Sequence, residues 1–211
     1  MTKKEKALEI FKRLSKVYPH PKIELDYETP FQLLVATILS AQATDKLVNT
    51  VTPALFAKYK TARDMANASV EEIDEMVKKV NFHYNKAKNI KGAAQMIVEK
   101  HGGEVPKTME ELDALPGVAR KTANVVLANA FGIASGIVID THGIRLSHKL
   151  GLSDEKTPEK IEKDLMELLP QDKWIDFGKM ITLHGRHKGV ARPHTCEDCP
   201  LGELCPEYKK S

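Results

Sequence analysis

The residues able to do chemistry in this chain fall in two places. The first is Leu115-Pro116-Gly117-Val118-Ala119-Arg120-Lys121-Thr122-Ala123, with Ile139-Asp140-Thr141-His142 following it. A lysine amine becomes a nucleophile once it has lost its proton. A carboxylate nearby can orient that amine, relay protons or stabilise positive charge on a reacting partner. The second place is the tail, where Cys196-x2-Cys199-x5-Cys205 gathers every cysteine of the chain at a spacing that suits metal ligation. Each residue also has a plain reading: Lys121 as a surface lysine touching phosphate, Asp140 as a helix cap, the thiols as unoccupied.

The elements that must position these groups are helices. Thr108-Met109-Glu110-Glu111 has capping-box spacing and opens a short helix ending near Ala114. Pro116-Gly117 cannot continue it, so the chain turns there. Beyond the turn, Ala123, Val126, Leu127 and Ala130 recur at helical spacing and Gly132 stands where a C-cap glycine belongs. The prediction is helix, tight hairpin, helix. The amides of Gly117, Val118 and Ala119 then sit at a helix N-terminus, which suits a phosphate.

At 211 residues and net charge +3, the chain can bury a real core, and any nucleic-acid affinity must come from local patches. No apolar run suggests a signal peptide or a membrane span, and an odd number of cysteines argues for metal over disulfides. These features point to the cytoplasm. Leu8, Phe11 and Leu14 mark a helix over residues 3–18, stopped by Pro19 and Pro21. Thr29-Pro30 opens a second, with Phe31, Leu34, Val35 and Ile38 as its buried stripe. A polar break, Ser40-Ala41-Gln42-Ala43-Thr44-Asp45, precedes a third helix capped by Thr44 or Asp45, and Thr61 and Ser69-Val70-Glu71-Glu72 open two more.

Lys78, Lys79, Lys86, Lys88 and Lys91 follow with no acid between them, around Asn81-Phe82-His83-Tyr84. Such a run is usually a solvated face, but basic charge interleaved with exposed aromatics also suits phosphate contact and base stacking. A long helix from about Asn85 ends at His101-Gly102-Gly103. Ile137-Val138-Ile139 is the one strand signal. Asp140 caps a helix ending at Gly151, and two last helices begin at Thr157-Pro158 and near Asp172, the second reaching His184-Gly185-Arg186.

The string Leu115 to Leu127 with Ile139-Asp140-Thr141-His142 resembles the helix-hairpin-helix DNA glycosylases of the endonuclease III family, and the resemblance runs over nearly the whole chain. It implies an all-α, two-lobed fold. A six-helix barrel with the hairpin spans 22–132; a helical domain of 1–21 plus 133–211 carries an iron–sulfur-type cysteine loop. The active site is expected in the cleft between the lobes. The implied function is removal of oxidised pyrimidines from duplex DNA, with cleavage of the abasic site by β-elimination through a lysine Schiff base. Lys121 and Asp140 match the family's catalytic lysine and aspartate. Gln42 matches the glutamine that enters the DNA stack where a base has been extruded, and Phe82 the position of an apolar wedge. Beside the hairpin amides of Gly117, Val118 and Ala119, Arg192 with Arg186 and Lys188, and no acid from 184 to 196, makes the tail loop a further candidate phosphate contact. The expected partner is damaged double-stranded DNA, bound by a monomer at the nucleoid, with no membrane contact.

The tail resembles the last three ligands, Cys196, Cys199 and Cys205, of a four-cysteine 4Fe-4S cluster, but the first ligand position holds Gly189. Three thiolates can hold a cluster with another ligand on its fourth iron, a cluster lacking that iron, or zinc with His187 or His194. Three further departures stand out: Asn81 replaces a glycine before the wedge, Ala119 the hairpin's second glycine, and Gly143 a bulky apolar residue. Two rival readings are a mismatch-specific monofunctional glycosylase, whose relatives usually lack the hairpin lysine, and a DNA-binding hairpin protein without catalysis.

Overall fold

A computed structural model describes residues 1–188 and 199–206, and every regular element among them is helical. The helices are α1 (Lys3–Val17), α2 (Pro30–Ser40), α3 (Asp45–Lys58), α4 (Ala62–Asn67), α5 (Val70–Val77), α6 (His83–Lys100), α7 (Met109–Asp113), α8 (Arg120–Ala130), α9 (Thr141–Lys149), α10 (Pro158–Leu168) and α11 (Trp174–His187). Most begin where a side chain supplies the missing acceptor for first-turn amides. Thr2, Thr61 and Ser69 form full capping boxes, and Thr29, Thr44, Thr108 and Asp140 cap α2, α3, α7 and α9.

The chain divides into two units, Glu24–Ile133 and Met1–Ile23 with Ala134–Ser211. In the first, α2 is buried on every side from Phe31 to Leu39, as a helix with no polar face must be. It packs on α3, α6 and α8, while α6 carries α4 and α5, and α7 pairs with α8. This unit holds seven helices, α2 to α7 and the hairpin's second helix α8, with α7 a single turn as its capping-box spacing foretold.

In the second unit, α1, α9, α10 and α11 enclose a core that includes Ile10, Leu14, Leu146, Leu165, Phe177 and Ile181. Leu201 and Leu204, from the described part of the tail, fill the same core. The apolar run at 137–139 forms no strand, in keeping with the all-α expectation: Ile137 and Ile139 are buried, and no strand is present among the described residues. The last helix also starts later than expected, as a 3-10 turn at Gln171–Lys173 precedes α11.

Candidate active site and nucleic-acid interface

The hairpin is built from its buried residues outward. Leu115 and Val118 are core residues, and the Val118 amide donates to the Leu115 carbonyl (3.1 Å), closing the turn. Gly117 has φ 76°, and a Cβ there would lie 2.7 Å from Cβ of Asn89 on α6, so both backbone and packing require glycine. One expectation is thereby corrected: the Val118 amide is committed to the turn itself. Ala119 is the N-cap of α8 and provides no side-chain cap.

No acidic residue stands in the first turn of α8; Arg120 and Lys121 stand there instead, both exposed. Among the described α-helices, α6 and α8 alone lack both a capping side-chain bond and a first-turn acid. First-turn amides without an internal acceptor, at the positive end of the helix dipole, favour an external anion.

Asp140 belongs to the other unit. It caps α9, its Oδ1 accepting from the Gly143 amide at 2.8 Å, and is half-buried. Behind it, α9 lies so close to α11 that a Cβ on Gly185 would fall 2.7 Å from Cβ of His142. Arg145 donates to the Gly185 carbonyl (2.8 Å) across the same contact. The glycine of His184-Gly185-Arg186 is thus a packing residue that seats the helix Asp140 begins. Gly143 is buried, and a Cβ on it would meet Ile139 and Ile181 at 3.5 Å, an ordinary contact.

Gln42 (φ 56°) and Phe82 (φ 57°) are the only non-glycine residues with a left-handed backbone among those described. Each such residue stores about 1–3 kcal/mol of strain, which persists only where surrounding structure holds it. Phe82 is 62 % exposed, unusual for a large aromatic side chain, and Tyr84 beside it is also exposed. The left-handed residue of this loop is Phe82 and not Asn81, which stands in the glycine's place, and the helix starts at His83, not near Asn85. Asn81 instead donates its side-chain amide to the Gln42 carbonyl at 3.2 Å. His83 Nδ1 lies 2.5 Å from Asp74 Oδ1, tying the start of α6 to α5.

The lysine run is not one solvated face. Lys86 is 6 % exposed and donates to the carbonyls of Leu39 (2.8 Å) and Ala41 (2.6 Å). Lys91 donates to the Ala68 carbonyl at 2.7 Å, and Lys78 pairs with Glu75. Lys79 and Lys88 remain as exposed cations. Lys86 was missed as a site residue, although it falls in helical register with Ile90 and Ile97 on the buried stripe of α6.

In the tail, Cys199 and Cys205 are unpaired, half-buried thiols packed against the core of the second unit. The Cys199 sulfur lies 3.7 Å from Nε2 of buried His184. These donors suit a thiolate metal site, and the complete set in the sequence is one sulfur short of four. Among the described residues no group of three or more His, Cys, Asp or Glu is gathered to hold a metal. Gly189, Arg192, His194 and Cys196 lie outside the described residues. No helix among the described residues is long and apolar enough to cross a membrane.

Residues 35–171 match the family model described as HhH-GPD superfamily base excision DNA repair protein. The endonuclease III of Synechocystis sp. (strain ATCC 27184 / PCC 6803 / Kazusa) is 54 % identical over 210 residues, 100 % of this chain and 96 % of that one. Two solved structures, a non-covalent endonuclease III–DNA complex and a trapped endonuclease III–DNA covalent intermediate with an estranged adenine, each have TM-score 0.91 and 39 % identity. Each match covers 98 % of this chain and 97 % of the other. The chain belongs to the HhH-GPD superfamily of base excision DNA repair proteins and, within it, to the endonuclease III family.

Proposed function

We propose that this protein is a bifunctional DNA glycosylase and abasic-site lyase that removes oxidised pyrimidines from duplex DNA. The observation that carries the reading is Lys121, in the acid-free and uncapped first turn of α8, in a chain 39 % identical to an endonuclease III trapped covalently on DNA. The sugar cannot be reached inside the stack, so the damaged nucleotide must first be flipped out. Gln42 and Phe82 fill the gap, and backbone amides at the start of α8 hold a phosphate, with Arg192 as a further phosphate contact.

The deprotonated Lys121 amine attacks C1′ as the bond from C1′ to the base breaks, and the base leaves with the electron pair and takes up a proton. Ring opening gives a Schiff base. Loss of a C2′ proton then expels the 3′ phosphate, and water returns the lysine. Asp140 stabilises positive charge on the sugar and relays protons. The protein acts as a monomer at the nucleoid. Cys196, Cys199 and Cys205 would hold an iron–sulfur cluster, with Gly189 standing where a further cysteine ligand is expected. When bound, it supplies folding free energy to the tail and no step of the reaction.

Borohydride reduction on an abasic-site duplex tests the assignment. Wild type should become covalently attached to DNA. Lys121→Gln should not, while its DNA affinity stays within about threefold, because the phosphate is held by amides and not by this side chain. Normal trapping of Lys121→Gln would remove Lys121 from the mechanism. On a duplex carrying an oxidised pyrimidine, base release by a wild type that is not trapped would make the enzyme monofunctional, and neither reaction would leave a DNA-binding protein.

A further inference from the structure

Two exposed residues with strained backbones, Gln42 and Phe82, lie on separate turns of one unit, and two side chains from around Phe82, those of Asn81 and Lys86, reach the Gln42 turn. The conformation of Gln42 is set by the two peptide planes that flank it. The plane before it carries the Ala41 carbonyl, which accepts from Lys86 Nζ at 2.6 Å. The plane after it carries the Gln42 carbonyl, which accepts from the Asn81 side chain at 3.2 Å. Both donors come from the neighbourhood of Phe82. Asn81 directly precedes it, and the Lys86 backbone amide donates to the Phe82 carbonyl at 3.1 Å, fixing the plane after Phe82.

The arrangement has an electrostatic reason. The last carbonyls of a helix lack internal partners, and α2 has no basic residue in its last turn. Lys86 comes across from α6 and supplies that charge through the Leu39 and Ala41 carbonyls. Burial pushes the Lys86 pKa below its ordinary value, the usual consequence of removing an ammonium from water. A lysine buried only for packing gains nothing over methionine; one donating to two carbonyls at a strained turn holds that turn.

Resting on the reading that Gln42 and Phe82 enter the gap left by the flipped nucleotide, we infer that Lys86 and Asn81 are positioning residues that lock the two turns into one rigid two-pronged probe. Locked prongs enter DNA together, without the ordering each would otherwise undergo on binding. The two prongs are therefore coupled energetically, and Lys86 carries the larger share because its side chain makes two of the three bonds that tie the Gln42 turn to the Phe82 neighbourhood.

A double-mutant cycle reads this directly. Affinity for a duplex carrying a reduced abasic-site analogue is measured for wild type, Gln42→Ala, Phe82→Ala and the double variant, and again in a Lys86→Met background. In the native background, the double loss should depart from the product of the single losses by at least about threefold. With Lys86→Met the losses should multiply within about twofold, KM on lesion duplex should rise about tenfold, and kcat should change little, since Lys121 and Asp140 are untouched. Lys86→Arg should restore part of the coupling, as guanidinium can donate to the same carbonyls. Asn81→Ala, an exposed change that removes one bond, should weaken the coupling without risk to the fold. Unaltered coupling in both Asn81→Ala and folded Lys86→Met would overturn the inference and leave both as ordinary structural residues. If neither Gln42→Ala nor Phe82→Ala alters lesion binding, the placement of the prongs in DNA fails first, and the lock falls with it.

Discussion

Asp140 holds two jobs that one substitution can separate. As N-cap of α9 it accepts a hydrogen bond from the Gly143 amide; as a charged carboxylate it is proposed to stabilise the sugar cation. Asparagine caps helices about as well as aspartate, because its side-chain oxygen accepts the same bond, but it carries no charge. Asp140→Asn should therefore melt within a degree or two of wild type while base excision falls by about a hundredfold or more, the usual scale of a lost electrostatic contribution. Asp140→Ala should lose both, with stability lower by about 1 kcal/mol. Single-turnover excision and thermal unfolding on the same preparations decide the matter. A loss below tenfold in Asp140→Asn, with a drop in melting only for Asp140→Ala, would reduce Asp140 to a helix cap.

At the scale of elements, acid stability should be written in the helix starts. Thr2–Glu5, Thr61–Asp64 and Ser69–Glu72 are full capping boxes. The Thr2 amide and hydroxyl hold Glu5 below its ordinary pKa; the Thr61 hydroxyl and amide do so for Asp64, and the Ser69 amide and hydroxyl for Glu72. A carboxylate whose pKa is depressed by folding adds stability above its unfolded value, and that stability is lost as pH falls through the folded value. A combined Glu5→Gln, Asp64→Asn, Glu72→Gln variant should melt below wild type at pH 7, and the two melting curves should converge below about pH 4. A constant gap down to pH 2 would show that the charges contribute nothing.

Those caps were readable in the sequence because their partners lie three residues apart. Thr29, Thr44, Ser69, Thr108 and Asp140 all cap where the pattern placed them. Lys86 was not readable in the same way. Its carbonyl partners lie on another helix, and a lysine among lysines looks like solvent-facing charge until the register with Ile90 is followed. The left-handed turn at Phe82 was hidden for the same reason: what holds it comes partly from the Gln42 turn, far away in the chain.

For the molecule as a whole, the open question is what the C-terminal tail adds to a unit that already has a core. Leu201 and Leu204 are buried in that core, and Arg13 of α1 pairs with Glu203 at 2.8 Å, so the stretch between Cys199 and Cys205 is anchored by packing and charge. A metal there would add its binding free energy to that anchoring. Three thiolates leave one iron of a four-iron cluster with solvent or a weak ligand, so wild type should lose iron readily on oxidation. Gly189→Cys should then raise iron content, strengthen the visible absorbance and raise the melting temperature, by about 2–4 °C for each kcal/mol of added binding. Zinc predicts a different outcome: a colourless protein holding about one metal per chain, released by His187→Ala or His194→Ala. Iron analysis, absorbance and melting of wild type and Gly189→Cys separate these cases. If wild type already holds four irons and Gly189→Cys changes neither iron nor melting, another residue has taken the fourth place and position 189 has no part in the site.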